Sequence, residues 1–247
     1  MKKSIKMLLV ALVITLPLLG TNISAMETTE TGITFIPVEH GSLVIQVPPR
    51  TIYVDPAANL KKFEKLSKPD IFLYTHLHPD HFDLEVLDVL KQEHSHVVGP
   101  DRVIDKLKEG LRMKNGDTIT VGNIGIEAVP MYNLTVDRAE FHLKNEGNGY
   151  VITANDQRIY ISGDTEDTPE MRNLKNIDYA FVCMNLPYTM TVEQAADAIL
   201  QMKPRVVYPY HYRGKDKKFS DLEKFKSLVN EKEPDIQVKV LDWYENQ

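Results

Sequence analysis

Cysteine is almost absent from this sequence, since Cys183 is the only one in 247 residues. A single thiol cannot form an internal disulfide, and it also excludes a metal site built from several thiolates. Any metal ligands must therefore come from histidine and carboxylate side chains. Cys183 itself lies in the apolar stretch DYAFVCMN, where we expect a small, buried residue.

One long apolar run lies at the N-terminus. Three lysines within the first six residues precede an apolar run from Met7 to Leu19, and ISA follows at residues 23–25. This pattern predicts a secretory signal peptide over residues 1–25 and a protein that is periplasmic or extracellular, with no membrane association after cleavage. An uncleaved anchor is the alternative, but the run is short for a bilayer span and Pro17 interrupts it. A lipoprotein is excluded, because no cysteine lies near the cleavage site.

Basic residues are fewer than acidic ones, 29 against 35. Loss of residues 1–25 removes three lysines and no acidic residue, which leaves 26 against 35 and a formal net charge of −9. This balance disfavours a nucleic-acid partner, so we expect a small-molecule substrate. Low-complexity segments are absent, and 43% hydrophobic residues predict one domain over residues 26–247.

Apolar patterns in the first half predict strands followed by helices. The stretch ITFIPVEHGSLVIQVPPRTIYVDP contains three short strands separated by turn residues, and DIFLYT at 70–75 is a fourth strand that is buried on both faces. We expect one helix over 83–93 with Asp83 as its N-cap, and another near 101–109 that begins at Asp101. The strand HVVG and two strands around 118–130 complete this half.

The second half repeats that order. GYVITA and RIYISGD predict a hairpin, and DYAFVCMN and VVYPYH predict buried strands. Two capping-box patterns, Thr191 with Gln194 and Ser220 with Glu223, each predict the start of a helix. We therefore predict an α/β fold in which two mixed β-sheets pack between outer helices.

The stretch THLHPDHFD, residues 75–83, holds three of the eight histidines. His76 and His78 are two apart in an extended segment, so their imidazoles point the same way, while Pro79 turns the chain and brings Asp80 and His81 to the same place. Imidazole and carboxylate ligands suit zinc, manganese or iron, and this ligand density allows a pair of ions. A histidine-rich surface loop is the alternative interpretation.

The pattern H-x-H-x-D-H after an apolar strand resembles the signature of the metallo-β-lactamase fold superfamily. The resemblance implies a four-layer αβ/βα sandwich with one or two metal ions at its edge. It also implies three later ligands: Asp164 in SGDT, His211 at the end of VVYPYH, and a histidine between the first motif and Asp164. His142 is assigned to that place, where His94 and His96 are the other histidines.

The same resemblance divides the ligands between two ions. The first ion is expected to be bound by His76, His78 and His142, the second by Asp80, His81 and His211, with Asp164 bridging both. Asp80 is also expected to be a catalytic residue.

Residues from about 32 to the C-terminus are most similar to the metal-dependent hydrolases that include the ascorbate-phosphate lactonase type, through YVDP, SGDT and PYHY. The resemblance implies a dinuclear zinc enzyme, with Mn²⁺ or Fe²⁺ as alternatives, whose bridging hydroxide attacks an ester, lactone, amide or phosphodiester. One alternative is a β-lactam hydrolase, although such enzymes usually lack the bridging aspartate. The other is a non-catalytic metal-binding or sensing protein, although a structural zinc site is closed whereas this set leaves coordination positions open.

Several residues near the expected ligands are candidates for supporting roles. Asp55, at the end of TIYVDP, is expected to accept the second N–H of a ligating imidazole, or else it only ends its strand. Arg213 is expected to bind an anionic group of the substrate. The candidate substrate contacts, of which the tyrosines are alternatively packing residues, are Tyr132, Asn133, Tyr188, Tyr212 and Arg213.

Overall fold

Two β-sheets of seven strands each form the centre of the computed structural model, which describes residues 26–244. Helices pack against the outer faces of both sheets, which confirms the predicted four-layer αβ/βα sandwich. The predicted signal peptide, residues 1–25, lies outside the described residues. Within the described range, no helix has the length and apolar character needed to cross a bilayer.

Each sheet starts with antiparallel strands and ends with parallel ones. In the first sheet, β1 to β4 pair antiparallel and β5 to β7 are added parallel; in the second, β8 to β11 are antiparallel and β12 to β14 parallel. The strands of the first sheet are β1 Glu27–Thr28, β2 Thr34–Glu39, β3 Ser42–Val47, β4 Arg50–Val54, β5 Ile71–Leu73, β6 His96–Gly99 and β7 Leu111–Arg112. Those of the second are β8 Thr118–Val121, β9 Ile124–Met131, β10 Gly147–Ala154, β11 Gln157–Ile161, β12 Tyr179–Cys183, β13 Val206–Tyr210 and β14 Gln237–Val238. The helices are α1 Leu84–Leu90, α2 Asp101–Leu107, α3 Pro169–Arg172, α4 Val192–Met202 and α5 Leu222–Asn230.

Strand β5 is buried on both faces, as its continuous apolar sequence predicts. Ile71 and Leu73 belong to the core between the two sheets, whereas Phe72 and Tyr74 pack in a second cluster with the helices of the first half. The residues that follow β5 are therefore anchored from two sides. They begin the segment THLHPDHFD.

Aromatic rings connect the two sheets. Phe35 of β2 contacts Tyr179, Phe181 and Tyr208 of the second sheet, with ring centroids 5.0–5.6 Å apart. Two of these pairs are edge-to-face, a geometry that favours aromatic packing. Cys183, at the end of β12, is fully buried as predicted, and burial raises the pKa of its thiol to about 12.

Helix starts follow the sequence with one exception. Asp83 caps α1 through bonds from Glu85 N and Val86 N, and Thr191 and Gln194 form both bonds of the capping box at α4. The capping box predicted for Ser220 and Glu223 is wrong. Asp221 caps α5 instead, because the Ser220 hydroxyl donates to the carbonyl of Met184 in the loop after β12.

Candidate metal centre

Three imidazoles converge at the edge of the sandwich where β5 ends. His76 Nε2 lies 3.0 Å from His78 Nδ1, and ligand atoms of His76, His78 and His142 all lie within 4.8 Å of one another. His142 comes from the loop between β9 and β10, and its Nε2 is buried without a hydrogen-bond partner among the described residues. The structure therefore brings together the three residues expected to bind the first ion.

A second group forms where β13 ends. His211 Nε2 lies 3.0 Å from His81 Nε2 and 3.4 Å from Asp80 Oδ2. His81 is fully buried, whereas 46% of the Asp80 side chain is exposed. The structure therefore also brings together the residues expected to bind the second ion.

The carboxylate of Asp164, which follows β11, reaches both groups. Its Oδ1 lies 3.5 Å from His81 Nε2 and 3.6 Å from His211 Nε2, and its Oδ2 lies 3.4 Å from His142 Nε2. These separations exceed a direct N–H···O hydrogen bond. They match the spacing of about 3.4 Å between two ligands of one tetrahedral ion whose bonds are about 2.0–2.1 Å long.

Two glycines let the backbone approach the candidate ligands closely. A Cβ on Gly41 would lie 2.8 Å from His81 Cε1 and 3.2 Å from His211 Cδ2. Gly163, just before Asp164, has a φ of +61° and no room for a Cβ beside the Met131 side chain. A larger residue at position 41 would displace His81 and His211, and one at position 163 would displace Met131 and strain the backbone just before Asp164.

The charge states of His76, His142 and Asp164 suit metal binding. Burial lowers the pKa of His142 to about 4, and burial together with the nearby His81 lowers the pKa of His76, so both imidazoles are neutral at pH 7 with a free lone pair. Burial alone would raise the pKa of Asp164, but His211 and His81 hold it well below its usual range. Five imidazoles and two carboxylates without a thiolate fit two divalent ions of the zinc, manganese or iron type.

Asp55 fixes the orientation of His81. The Asp55 side chain is fully buried; its Oδ2 lies 2.8 Å from His81 Nδ1, and its carboxylate also accepts bonds from Thr75 N and Thr75 Oγ1. A carboxylate on Nδ1 turns Nε2 toward the ligand group. The structure therefore favours the predicted supporting role over a simple strand end.

Replacing Asp55 with Asn is expected to weaken metal binding about 10-fold to 100-fold, because His81 loses the charged acceptor that orients it. Competition with a chromogenic chelator measures this affinity. Asp70→Asn is the matched control, since Asp70 precedes the same strand β5 and binds Arg50 and Thr51 N away from the ligands. Equal affinities of the two variants would contradict the role of Asp55.

His40, in the turn between β2 and β3, is a site residue that the sequence did not reveal. Its Nε2 lies 3.6 Å from Asp80 Oδ2, its ring centroid lies 3.8 Å from that of His211, and its Nδ1 lies 2.8 Å from Tyr244 Oη. Ligand atoms of His40, Asp80 and His211 lie within 4.8 Å of one another. A histidine next to a glycine in a turn has no local pattern that marks it as part of a site.

The variant His40→Ala is expected to weaken binding of the second ion about 10-fold and to leave the first ion in place, because Asp80 loses its neighbour. Tyr244→Phe removes only the hydroxyl at His40 Nδ1, and we expect a smaller effect in the same direction. Calorimetric titration of the metal-free protein resolves the two binding steps. Loss of the first step instead of the second would contradict this placement of His40.

Buried hydrogen bonds hold the loop that carries His142. Glu166 is fully buried and accepts bonds from Leu134 N at 2.6 Å and Thr135 N at 2.5 Å, and Arg138 pairs with it at 2.8 Å. Asn133 Nδ2 donates to the Tyr188 carbonyl at 2.7 Å and lies 3.3 Å from His142 Nδ1. The loop is therefore fixed by Glu166, another residue whose role the sequence did not indicate.

A cavity of about 300 Å³ opens beside the two ligand groups. It is lined by His78, Pro79, Asp80, Phe141, His142, Asp164, Asn185 and Tyr188. The Tyr188 ring packs edge-to-face on Phe141 with centroids 5.1 Å apart. Tyr188 is thus the one predicted substrate contact that lines this cavity.

The other four predicted substrate contacts do not line it. The Tyr132 hydroxyl donates to Glu170, and Asn133 is buried as an anchor of the His142 loop. Tyr212 packs against Phe219 and Tyr244. The Arg213 guanidinium lies 4.5 Å from the centroid of the Tyr244 ring, so the structure places this cation on an aromatic face and not on the cavity wall.

Comparison with known proteins agrees with this geometry. The β-lactamase superfamily domain matches residues 33–211. A UPF0173 metal-dependent hydrolase of Nanoarchaeum equitans is 30% identical over 202 residues, which cover 78% of this chain and 90% of the relative.

Solved structures show the same fold. A Parabacteroides distasonis protein, for which a metal-dependent hydrolase activity is proposed, superposes with a TM-score of 0.80 and 36% identity over 90% of this chain and 99% of that one. Igni18, a metallo hydrolase of Ignicoccus hospitalis, has a TM-score of 0.73 and 23% identity over 86% of this chain and 96% of its own. The chain therefore belongs to the β-lactamase superfamily, in the domain family that matches residues 33–211.

Proposed function

We propose that the protein is a hydrolase that uses two metal ions, with zinc as the first choice and Mn²⁺ or Fe²⁺ as alternatives. A metal-dependent hydrolase of the β-lactamase superfamily is the coarser description that its relatives support. The observation that carries the finer proposal is the position of Asp164, whose two carboxylate oxygens lie 3.4–3.6 Å from imidazoles of both ligand groups. A structural site for one ion would need no carboxylate between two groups.

The division of the ligands in this proposal is that implied by the superfamily. His76, His78 and His142 hold the first ion, and Asp80, His81 and His211 hold the second. Asp164 joins the two groups. When bound, the two ions supply the positive charge that lets a water molecule act as a nucleophile near neutral pH and that polarises the oxygen of the substrate.

The protein side chains position these groups and the substrate. Asp55 keeps the proton of His81 on Nδ1, so that Nε2 remains a ligand atom. His211 and His40 hold the pKa of Asp80 below its usual range although partial burial opposes this, so Asp80 stays ionised. We therefore assign Asp80 a role as an ion ligand on the cavity wall and not as a proton acceptor.

Asn185 is the candidate donor to the substrate. It lines the cavity, and its Oδ1 accepts a bond from Thr189 Oγ1 at 2.5 Å. The amide N–H groups are then what Asn185 can offer to the oxygen on which negative charge develops during acyl transfer. An ester, lactone, amide or phosphodiester all present such an oxygen, and the lactone is the bond favoured by the resemblance to the ascorbate-phosphate lactonase type.

The test is reconstitution of the metal-free protein with Zn²⁺, Mn²⁺ or Fe²⁺, followed by a panel of one lactone, one ester, one amide, one phosphodiester and one β-lactam. We expect two ions per chain by elemental analysis. We also expect turnover of at least one substrate, at a rate that rises when the second ion binds. Two bound ions without turnover of any bond class would favour the metal-binding or sensing alternative. Turnover of the β-lactam alone would favour the alternative that the protein is a β-lactam hydrolase.

Export is part of the same proposal. The three lysines, the apolar run and the ISA sequence at residues 23–25 support cleavage after Ala25. N-terminal sequencing of the protein recovered from its natural compartment should begin at Met26. An intact N-terminus in a cytoplasmic fraction would contradict export.

A further inference from the structure

The cavity wall beyond the candidate ligands carries no charge. Four of the lining residues are candidate ligands, and the other four are Pro79, Phe141, Asn185 and Tyr188. A carboxylate or phosphate group remote from the ions would find no cation among these lining residues. The wall therefore suits an uncharged part of a substrate.

A smaller recess of about 20 Å³ adjoins the cavity and shares His78, Phe141 and His142 with it. Leu77, Met131 and Leu143 give this recess an apolar wall. Arg102, the one cation that lines it within residues 26–244, donates to Glu146 Oε2 at 2.6 Å, and Glu146 lines the recess as well. Its charge is thus already paired.

Large apolar side chains are exposed next to these cavities. Phe141 is 40% exposed and Leu143 is 48% exposed, and they flank His142 on both sides in the chain. Exposed apolar surface that continues into a cavity containing a few polar groups is typical of ligand-binding sites. Phe141 also keeps contact with Tyr188, so the exposed ring is held at the cavity and is not a free surface residue.

We propose that the substrate is an uncharged ester or lactone with an apolar chain next to the cleaved bond, and that this chain lies on Phe141, Leu143 and Tyr188. This inference rests on the proposed hydrolase function, which supplies the cleaved bond. Burial of one methylene favours binding by a factor of about 4, and half-exposed walls reduce this to about 2. The preference for a longer chain is therefore measurable with a short homologous series.

The experiment uses the metal-loaded protein with the 4-nitrophenyl esters of acetate, butyrate and hexanoate. Between acetate and hexanoate we expect kcat/KM to rise about 16-fold, the product of about twofold for each of four methylenes. The ratio of the two rates serves as an internal standard, because a general loss of metal or of folded protein lowers both rates together.

The double variant Phe141→Ala, Leu143→Ala is expected to bring this ratio to within about threefold of unity, since two of the three side chains on which the apolar chain is placed lose most of their apolar surface. Val136→Ala is the matched control. Val136 is an exposed apolar residue of the same loop, with 86% exposure, and it does not line either cavity. The control should retain the ratio of the unchanged protein.

A second readout keeps the inference testable without turnover. Calorimetric titration of the metal-loaded protein with hexanoate and with acetate compares two products that share a carboxylate and differ only in the chain. Tighter binding of hexanoate, lost in the double variant, supports the inference.

Equal rates for the three esters, equal binding of the two acids, or a preference for a phosphodiester over every ester would overturn the apolar-chain inference and leave the proposed function standing. Absence of turnover for every bond class, with hexanoate still bound more tightly than acetate, would overturn the proposed function and support the apolar chain site.

Discussion

Asp164→Asn is expected to remove both metal ions and to lower kcat/KM at least about 1000-fold, which corresponds to the several kcal/mol that metal ions supply to the transition state. The physical reason is that Asp164 is the group that contacts both ligand sets, through Oδ1 on one side and Oδ2 on the other. An amide of the same shape lacks the negative charge and presents N–H groups to a cation. Elemental analysis and steady-state kinetics on the purified variant measure the two effects.

The matched control for this variant is Asp167→Asn. Asp167 lies three residues further along the same segment, is also buried, and is bound by Arg172 and Gln194 outside the ligand groups. We expect full metal content in the control. Full metal content in Asp164→Asn as well would show that this carboxylate does not join the two ions.

His142→Ala is expected to lose the first ion, retain the second, and lower kcat/KM about 100-fold, because the first group keeps only His76 and His78 on one short segment and the carboxylate that it shares with the second ion. His94→Ala is the control. His94 is also a histidine between the first motif and Asp164, but its side chain is 65% exposed. Metal content by elemental analysis should fall from two ions to one in the first variant and stay at two in the second.

A loss of metal in His94→Ala with full occupancy in His142→Ala would mean that the third histidine of the first group was assigned wrongly. The structure argues against that outcome, because the His142 loop is fixed by Glu166 and Asn133 and places Nε2 at the ligand group.

The fold was predictable from the sequence where apolar patterns are long. The apolar run DIFLYT predicted a strand buried on both faces, and the repeated order of strands and helices predicted two sheets between helices. The two-residue strands β1, β7 and β14 were not predicted, because so few residues carry no periodic pattern. They are defined only by pairing with a neighbouring strand.

The candidate site was predictable where its residues form a motif. His76, His78, Asp80 and His81 lie within six residues, and the superfamily resemblance located the other three, which the structure brings to the same place. His40 was missed because its contacts depend on residues remote in sequence, including Tyr244, 204 positions away. Only the folded chain shows that pair.

Sequence proximity misled in the case of Arg213. We expected a cation two residues after His211 to face the substrate. His211 has a φ of +47°, so the chain turns there and the alternation of an extended strand no longer indicates where the following side chains point. Arg213 lies on the Tyr244 ring instead.

The most direct test of the central claim is anomalous diffraction from crystals of the protein grown with zinc, recorded on both sides of the zinc absorption edge. We predict two anomalous peaks, one among His76, His78 and His142 and one among Asp80, His81 and His211, both within ligand distance of Asp164. A single peak, or peaks that Asp164 does not contact, would contradict a two-ion centre at this edge of the sandwich.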